Sequence, residues 1–330
     1  MRSMAIVDAL NDAGCACGFA ASSEESFSFL AGRGHGDCLV LNGDTLRFDY
    51  EDGRALAAAA RQRGVSLVFI DSYAVTDSFF EGLRTELPAD VMVAHLDDQY
   101  TFERGILDEP VRFPVNALLN YSFYCEPQAY ENAYRGRGVQ LLLGPSYAPL
   151  RPEFAKVRRH VPGEKLTDVL ITTGSTNPDG LLERVARLVV QVVDASVRVH
   201  VVVGAKSSYE GPVAGIDILH NVSDMASLME SCQVAISAAG TTLYELCAAG
   251  VASLAIAMVP NQQKNMHGFV DQGFGLGCDA SDSGEALSGK IRTLLEDTEL
   301  RGDIVRRCAA GVDAGGAGRI AQELLRRLCA

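Results

Sequence analysis

The sequence has no apolar run of about 18 residues, the length a membrane-spanning helix needs, and its start, MRSMAIVDAL, reaches Asp8 before any signal-like core develops. A cytoplasmic location is therefore expected. Positive charge is also scarce: 29 Lys and Arg stand against 42 Asp and Glu, a formal net charge of −13. Nucleic acid and anionic membrane surfaces both require clustered cations, so neither is expected as a partner. A phosphorylated small molecule is not excluded, because local amides and helix ends suffice to hold one. The nine cysteines, at 15, 17, 38, 125, 232, 247, 278, 308 and 329, are odd in number and lie mostly in apolar segments. They suit reduced thiols better than a disulfide framework. Cys15 and Cys17 form a C-x-C with no second pair at zinc spacing, so no metal site is expected. No internal repeat, nucleophile elbow, metal triad or kinase loop is present.

What the sequence does contain is a soluble chain of 330 residues, 48% hydrophobic and 22% charged, long enough for two domains. From about residue 65 apolar strands alternate with amphipathic helices. VSLVFIDSY, ADVMVAHLDD and FPVNALLNY are strand-like, and TDSFFEGLRTEL is helical. The stretch LLLGPSYAPLRPEF, with three prolines within eight residues, suggests a boundary. Beyond it DVLITT, VRVHVVVG, IDILHN, QVAISAAG and ASLAIAMV read as strands. The helix LLERVARLVVQVVDA places leucine and valine at 181, 182, 185, 188, 189 and 192. SDMASLMESC is a short helix with Ser223 as the expected N-cap. Continuous apolar strands between helices imply a parallel sheet covered on both faces. The expected architecture is α/β: two Rossmann-like domains facing a cleft, over 1–150 and 151–330. The beginning departs from this pattern, because the helix SMAIVDALNDAG precedes the first strand, CACGFA, whereas a doubly wound domain normally opens with a strand.

The stretch SAAGTTLYELCAAG, residues 237–250, concentrates the chemistry. Gly240 ends a strand, and the helix starting near Thr241 turns unpaired amides and its positive dipole end toward the place where α/β proteins bind ligands. Such amides suit a diphosphate. Glu245 shares a face with Thr241, while Leu243, Leu246 and Cys247 face the core. A carboxylate there could accept both ribose hydroxyls of a nucleotide, or it could simply be solvated. GSTNPDG is a second glycine-rich strand–helix turn, in which Asn177 before Pro178 makes a cap. In the first half Asp71 and Tyr73 end one strand, while Asp97 and Asp98 end the next. Adjacent residues of a strand point to opposite sides, so at least one of the latter pair is expected in a turn. His35, in GRGHG, reads as a surface turn, and His95 and His220 read as packed strand residues.

In chain order, IDSYAV, HLDD, LLLGPSYAPLRPEF, VLITTGSTNPDG, HNVSDMASLM, AISAAGTTLYELCAAG and PNQQ resemble the UDP-sugar hydrolase family of pseudaminic-acid biosynthesis, which includes PseG and the spore-coat protein SpsG and is related to MurG. The resemblance covers nearly the whole chain. It implies a glycosyltransferase-B fold. The activity it implies is metal- and cofactor-independent, inverting hydrolysis of a UDP-linked diacetamido-trideoxy hexose to UDP and free sugar. It further implies that Glu245 binds ribose and that Gly240, Thr241 and Thr242 meet the diphosphate. Val222 and its neighbours would hold uracil, and Gly174, Ser175, Thr176, Asn261 and Gln262 would lie near phosphate and sugar. Tyr73 matches an active-site tyrosine. A sugar transferase, or a UDP-sugar-binding pseudoenzyme, is the alternative.

Family members open with a strand and a G-x-G-H-x-x-R loop whose histidine is the proposed base. Met1-Arg2 matches only the end of that loop, so strand, glycines and histidine are expected to be missing, most simply through a late start codon. His35 falls after the second helix and cannot replace that histidine. The resemblance thus implies a chain with an incomplete first sheet that holds UDP and is poorly stable and inactive in hydrolysis.

Overall fold

A computed structural model describes residues 2–21, 23–41, 46–98, 113–211 and 214–329. The chain forms two compact units. The first comprises Met1–Tyr121, Cys125–Pro149 and Ala317–Ala330; the second comprises Ser122–Tyr124 and Leu150–Gly316.

In the first unit, helix α1 (Arg2–Asp12) buries Met4, Ala5, Ile6 and Leu10. It is followed by β1 (Phe19–Ala21), α2 (Glu24–Ala31), β2 (Cys38–Val40) and α3 (Tyr50–Arg63). Next come β3 (Leu67–Ile70), α4 (Asp77–Glu86), β4 (Met92–Leu96), β5 (Ala117–Asn120), α5 (Pro127–Ala133) and β6 (Gln140–Leu143). All strand pairs are parallel, but they fall into two sheets, β1-β2 and β3-β4-β5-β6. Helices α3 and α4 approach to backbone contact because each has a glycine at the crossing. A Cβ on Gly53 would lie 2.0 Å from the Phe79 carbonyl oxygen, and one on Gly82 would lie 1.9 Å from that of Tyr50.

The second unit contains β7 (Asp168–Thr172), α6 (Leu181–Val190), β8 (Arg198–Val203), β9 (Ile216–His220), α7 (Met225–Ser231) and β10 (Val234–Ala238). It continues with α8 (Thr242–Ala249), β11 (Ala252–Ala257), α9 (Pro260–Asp271), β12 (Gly275–Asp279), α10 (Gly284–Glu296) and α11 (Thr298–Gly311). Its six parallel strands run in the order β12-β11-β10-β7-β8-β9. Every residue of β7, β10 and β11 is buried, as expected for strands covered on both faces. Helix α6 sends Leu181, Leu182, Val185, Ala186 and Val189 into the core and ends at Val190, short of the periodic pattern. The N-cap of α7 is Asp224, not Ser223: its carboxylate accepts from the Ser227 amide. An ionised acceptor one residue later outcompetes the serine hydroxyl.

The last helix, α12 (Gly316–Leu328), belongs to the first unit. Arg319 donates to the Ser146 carbonyl, Arg327 to the Gly138 carbonyl, and Gln140 to Glu323. The strands and helices thus build two Rossmann-like domains. No helix among the described residues is long and apolar enough to cross a membrane.

Candidate functional site

The chain of the second unit leaves β7, winds through β8 and β9, and returns to the other side of β7 as β10. This reversal between β7 and β10 is the topological switch point, where open α/β sheets leave a crevice beyond the strands' carboxyl ends. The two glycine turns picked out in the sequence flank it. Thr172 pairs with Ser237, so both turns leave adjacent strands at nearly the same level.

After β7, Gly174 takes a left-handed φ of +79°, and Gly174, Ser175 and Thr176 are exposed. The loop is held beneath: Thr173 donates to the Thr176 carbonyl at 2.6 Å, and the Lys206 amide donates to the Ser175 carbonyl. Gly204 permits this packing, since a Cβ there would lie 2.0 Å from the Gly174 carbonyl oxygen. Asn177 accepts from the Leu182 amide at 2.9 Å across a short 3-10 turn, Pro178–Gly180, and so caps α6 from a distance.

After β10, Gly240 leads into α8, whose N-cap Thr241 makes no side-chain cap. The Leu243 and Tyr244 amides fold back onto the Gly240 and Thr241 carbonyls. Among the described residues the amides of Thr241 and Thr242 are left without a protein acceptor. Helix α9 likewise starts on Val259, which has no side-chain acceptor, followed by Pro260. By contrast α2, α3, α4, α7, α10 and α11 are each capped by a serine, threonine or aspartate side chain, while α5 of the first unit, like α9, starts on an uncapped residue followed by proline. Two uncapped helix ends on neighbouring strands concentrate partial positive charge. Gln262 sits at the same turn: its Oε1 accepts from the Met258 amide, and its Nε2 lies 4.0 Å from where a Gly240 Cβ would stand. Asn261 is exposed beside it. Asn265 braces the turn, donating to the Ala239 carbonyl and accepting from the Tyr244 hydroxyl.

Glu245 lies one turn along α8 and is 17% exposed. Arg151 donates to it from Nε at 3.0 Å, while Arg151 Nη1 reaches Glu153 at 3.0 Å. Burial pushes the Glu245 carboxyl upward, against the pull of Arg151. Val222 is half-buried at the end of β9, beside Asn221, which holds a left-handed φ of +51°. Gly174, Ser175, Thr176, Gly240, Thr241, Thr242, Glu245, Asn261, Gln262 and Val222 therefore all stand at the carboxyl ends of strands in one sheet. Val222 lies two strands from β7.

The first unit gathers a different cluster, also at strand ends. Asp71 follows β3, Asp98 follows β4, and Tyr121 follows β5. Arg2, at the start of α1, joins all three: Nη2 to Asp71 at 2.6 Å, Nη1 to Asp98 at 2.6 Å and to the Tyr121 hydroxyl at 3.2 Å. Ser3 donates to Asp71 as well. Burial pushes the Asp71 carboxyl up, but Arg2 outweighs it and holds that carboxyl below the usual range. Tyr73 is 53% exposed, lies 5.1 Å from the Arg2 guanidinium carbon, and donates to Asp98 at 3.2 Å.

Asp97, by contrast, is buried at 2% exposure, with its carbonyl accepting from Tyr130. His95 is enclosed by Phe80 and Phe113, its Nδ1 on the Ile70 carbonyl, and burial holds it below the ordinary histidine range. His35 lies in a turn 3.6 Å from Asp8. His220 is exposed at the end of β9 rather than packed. Sequence reasoning missed Arg2 as a hub, Arg151 as the partner of Glu245, and Asn265. Arg151 and Glu245 are 94 residues apart, and no local pattern links them.

Residues 168–301 match the glycosyltransferase family 28 C-terminal domain. The chain is 28% identical over 190 residues to the spore coat polysaccharide biosynthesis protein SpsG of Bacillus subtilis (strain 168), covering 54% of this chain and 56% of that one. It is 31% identical over 131 residues to a UDP-N-acetylglucosamine–N-acetylmuramyl-(pentapeptide) pyrophosphoryl-undecaprenol N-acetylglucosamine transferase of Methylibium petroleiphilum, covering 37% and 35%. The matches thus span just over half and about a third of the length of these relatives. The crystal structure of Acinetobacter baumannii MurG superposes with a TM-score of 0.67 at 14% identity, over 98% of this chain and 95% of that one. The protein is therefore glycosyltransferase-like, with the glycosyltransferase-B fold of two Rossmann-like domains and a second domain similar to the family 28 C-terminal domain.

Proposed function

We propose that the protein binds a UDP-sugar and directs the sugar to water, releasing UDP. The second unit takes the nucleotide and the first the sugar, with α12 on the side of the first, in the cytoplasm. The observation that carries this reading is the pair of uncapped helix ends, α8 and α9, beside the β7/β10 switch point, with Glu245 one turn along α8. Amides already aimed at a diphosphate stabilise it further as negative charge develops on the departing UDP, with no reorganisation required. Glu245 accepts the ribose hydroxyls. The end of β9 lies at the same edge of the sheet, beyond β7 and β8 from the α8 turn. Backbone groups near Val222 hold uracil there. On the sugar side the exposed Tyr73 ring and hydroxyl are offered beside Asp98 and Arg2.

The motif resemblance supports a finer reading: inverting, metal-independent hydrolysis of a UDP-linked diacetamido-trideoxy hexose in pseudaminic-acid synthesis. His95, buried among aromatic rings, and His35, in its turn beside Asp8, are not assigned as the base. Transfer to a hydroxyl acceptor is the second reading, favoured by the family 28 match and by the transferase activity named for the Methylibium relative. Incubation with the UDP-sugar tests all of this. UDP and free sugar formed in water alone support hydrolysis and overturn the expectation of an inactive chain, while UDP release only with an added acceptor supports transfer. Binding of UDP without turnover leaves a nucleotide-sugar-binding protein. Failure to bind UDP overturns the nucleotide site itself.

A further inference from the structure

Among the described residues, the cation that touches Glu245 comes from a segment far away in sequence. Arg151 precedes a 3-10 turn, Pro152–Lys156, and its guanidinium carbon lies 5.2 Å from the Phe154 ring centre. Phe154 is 2% exposed, so the guanidinium rests against the core of the second unit. From there Nε donates to Glu245 Oε1 at 3.0 Å and Nη1 approaches Glu153 at 3.0 Å. Other charges near this pair are known. Asp224, the cap of α7, feels the Arg151 charge. Arg159 donates to the Cys247 carbonyl farther along α8. Glu245 itself is faced by Arg151 and, unfavourably, by Glu153.

A carboxylate offers about four acceptor positions. Arg151 occupies one, on Oε1, which leaves enough for the two hydroxyls of a ribose. The contact is thus compatible with ligand binding. A carboxyl group this enclosed would otherwise tend to take up a proton, and a protonated acid presents a donor where the ribose also presents donors.

We propose that Arg151 is a positioning residue for Glu245: it fixes the carboxylate in its charged, acceptor-only form so that ribose recognition does not weaken in mildly acidic conditions. The inference rests on the reading of Glu245 as the ribose acceptor. It requires no contact between Arg151 and the nucleotide.

The experiment is calorimetric titration of UDP into the full chain between pH 5.5 and 8.0, on wild type, Arg151→Met and Arg151→Lys. UDP's own phosphate titrates in this range, so each variant's Kd is divided by the wild-type Kd at the same pH. For Arg151→Met the ratio should stay small at pH 8 and grow as pH falls, by up to about tenfold per pH unit below the Glu245 pKa. Arg151→Lys, which keeps the charge, should hold the ratio nearly flat. In Arg151→Met combined with Glu245→Gln the growth should vanish, because the group that titrates is gone. A ratio for Arg151→Met that is pH-independent, whether near one or uniformly large, overturns the proposal. If Arg151→Met does not fold, the Lys variant decides: a ratio that rises toward acid despite the retained charge also overturns it. Equal UDP affinity for wild type and Glu245→Ala would instead remove Glu245 from the site, a separate failure of the underlying reading.

Discussion

Replacing Glu245 by alanine gives the most direct test of the nucleotide site. The side chain is 17% exposed and its known partner is Arg151, which keeps Glu153 at 3.0 Å after the change. The guanidinium is therefore not stranded, and the fold should lose little. The uncapped amides of Thr241 and Thr242 are backbone groups and remain in place. What disappears is acceptance of the ribose hydroxyls. Two charge-assisted hydrogen bonds are at stake, but Glu245 must shed water to make them and water refills the vacated space. The net loss is set at the value of one such bond, about 1.5–3 kcal/mol. That corresponds to a rise in the UDP dissociation constant of roughly 10- to 150-fold. Isothermal titration with UDP and with its 2′,3′-dideoxy analogue isolates the effect. Wild type should prefer UDP by this same factor, and Glu245→Ala should bind both alike. Retention of the wild-type preference in the variant would refute the reasoning, whatever happened to the absolute affinities.

Tyr73→Phe removes the hydroxyl that reaches Asp98 at 3.2 Å while keeping the ring near Arg2. In a form of the protein that turns over, it should lower kcat tenfold or more, about the value of one hydrogen bond to a charged group, and leave UDP affinity unchanged; parallel losses would place Tyr73 outside the sugar site. Gly82→Ala inserts a methyl group 1.9 Å from the Tyr50 carbonyl oxygen and should cost about 1–3 kcal/mol by forcing α3 from α4; an unchanged urea midpoint would contradict that packing. His95 has its folded pKa lowered by burial, so the unfolded chain binds the extra proton first. Its contribution to stability is full above about pH 6.5 and is lost as pH falls below that value, at up to about 1.4 kcal/mol per pH unit. His95→Leu should flatten that part of the stability–pH curve, and an unaltered slope between pH 6.5 and 5.5 would show that His95 is not buried neutral.

The sequence by itself determined the alternation of strands and helices, because buried parallel strands must be apolar along their length and covering helices must be apolar on one face. The positions of the Gly240 and Gly174 turns were legible for the same local reason, since a strand that ends in glycine before a hydroxyl-rich helix start announces its own geometry. Even the orientation of Glu245 relative to Leu243, Leu246 and Cys247 follows from helical periodicity alone. The tertiary structure decided what long-range contact decides. Asp224 rather than Ser223 caps α7, a choice between neighbouring residues that composition does not resolve. Helix α12 returns to the first unit through Arg319, Arg327 and Glu323, an assignment invisible in an amphipathic pattern that would suit either unit. The Arg2–Asp71–Asp98–Tyr121 cluster and the Arg151–Glu245 pair join residues roughly 70–120 positions apart. Charges so far apart along the chain meet only because parallel strands bring their carboxyl ends to one edge. A linear sequence carries the strands, but not the order in which the sheet sets them side by side.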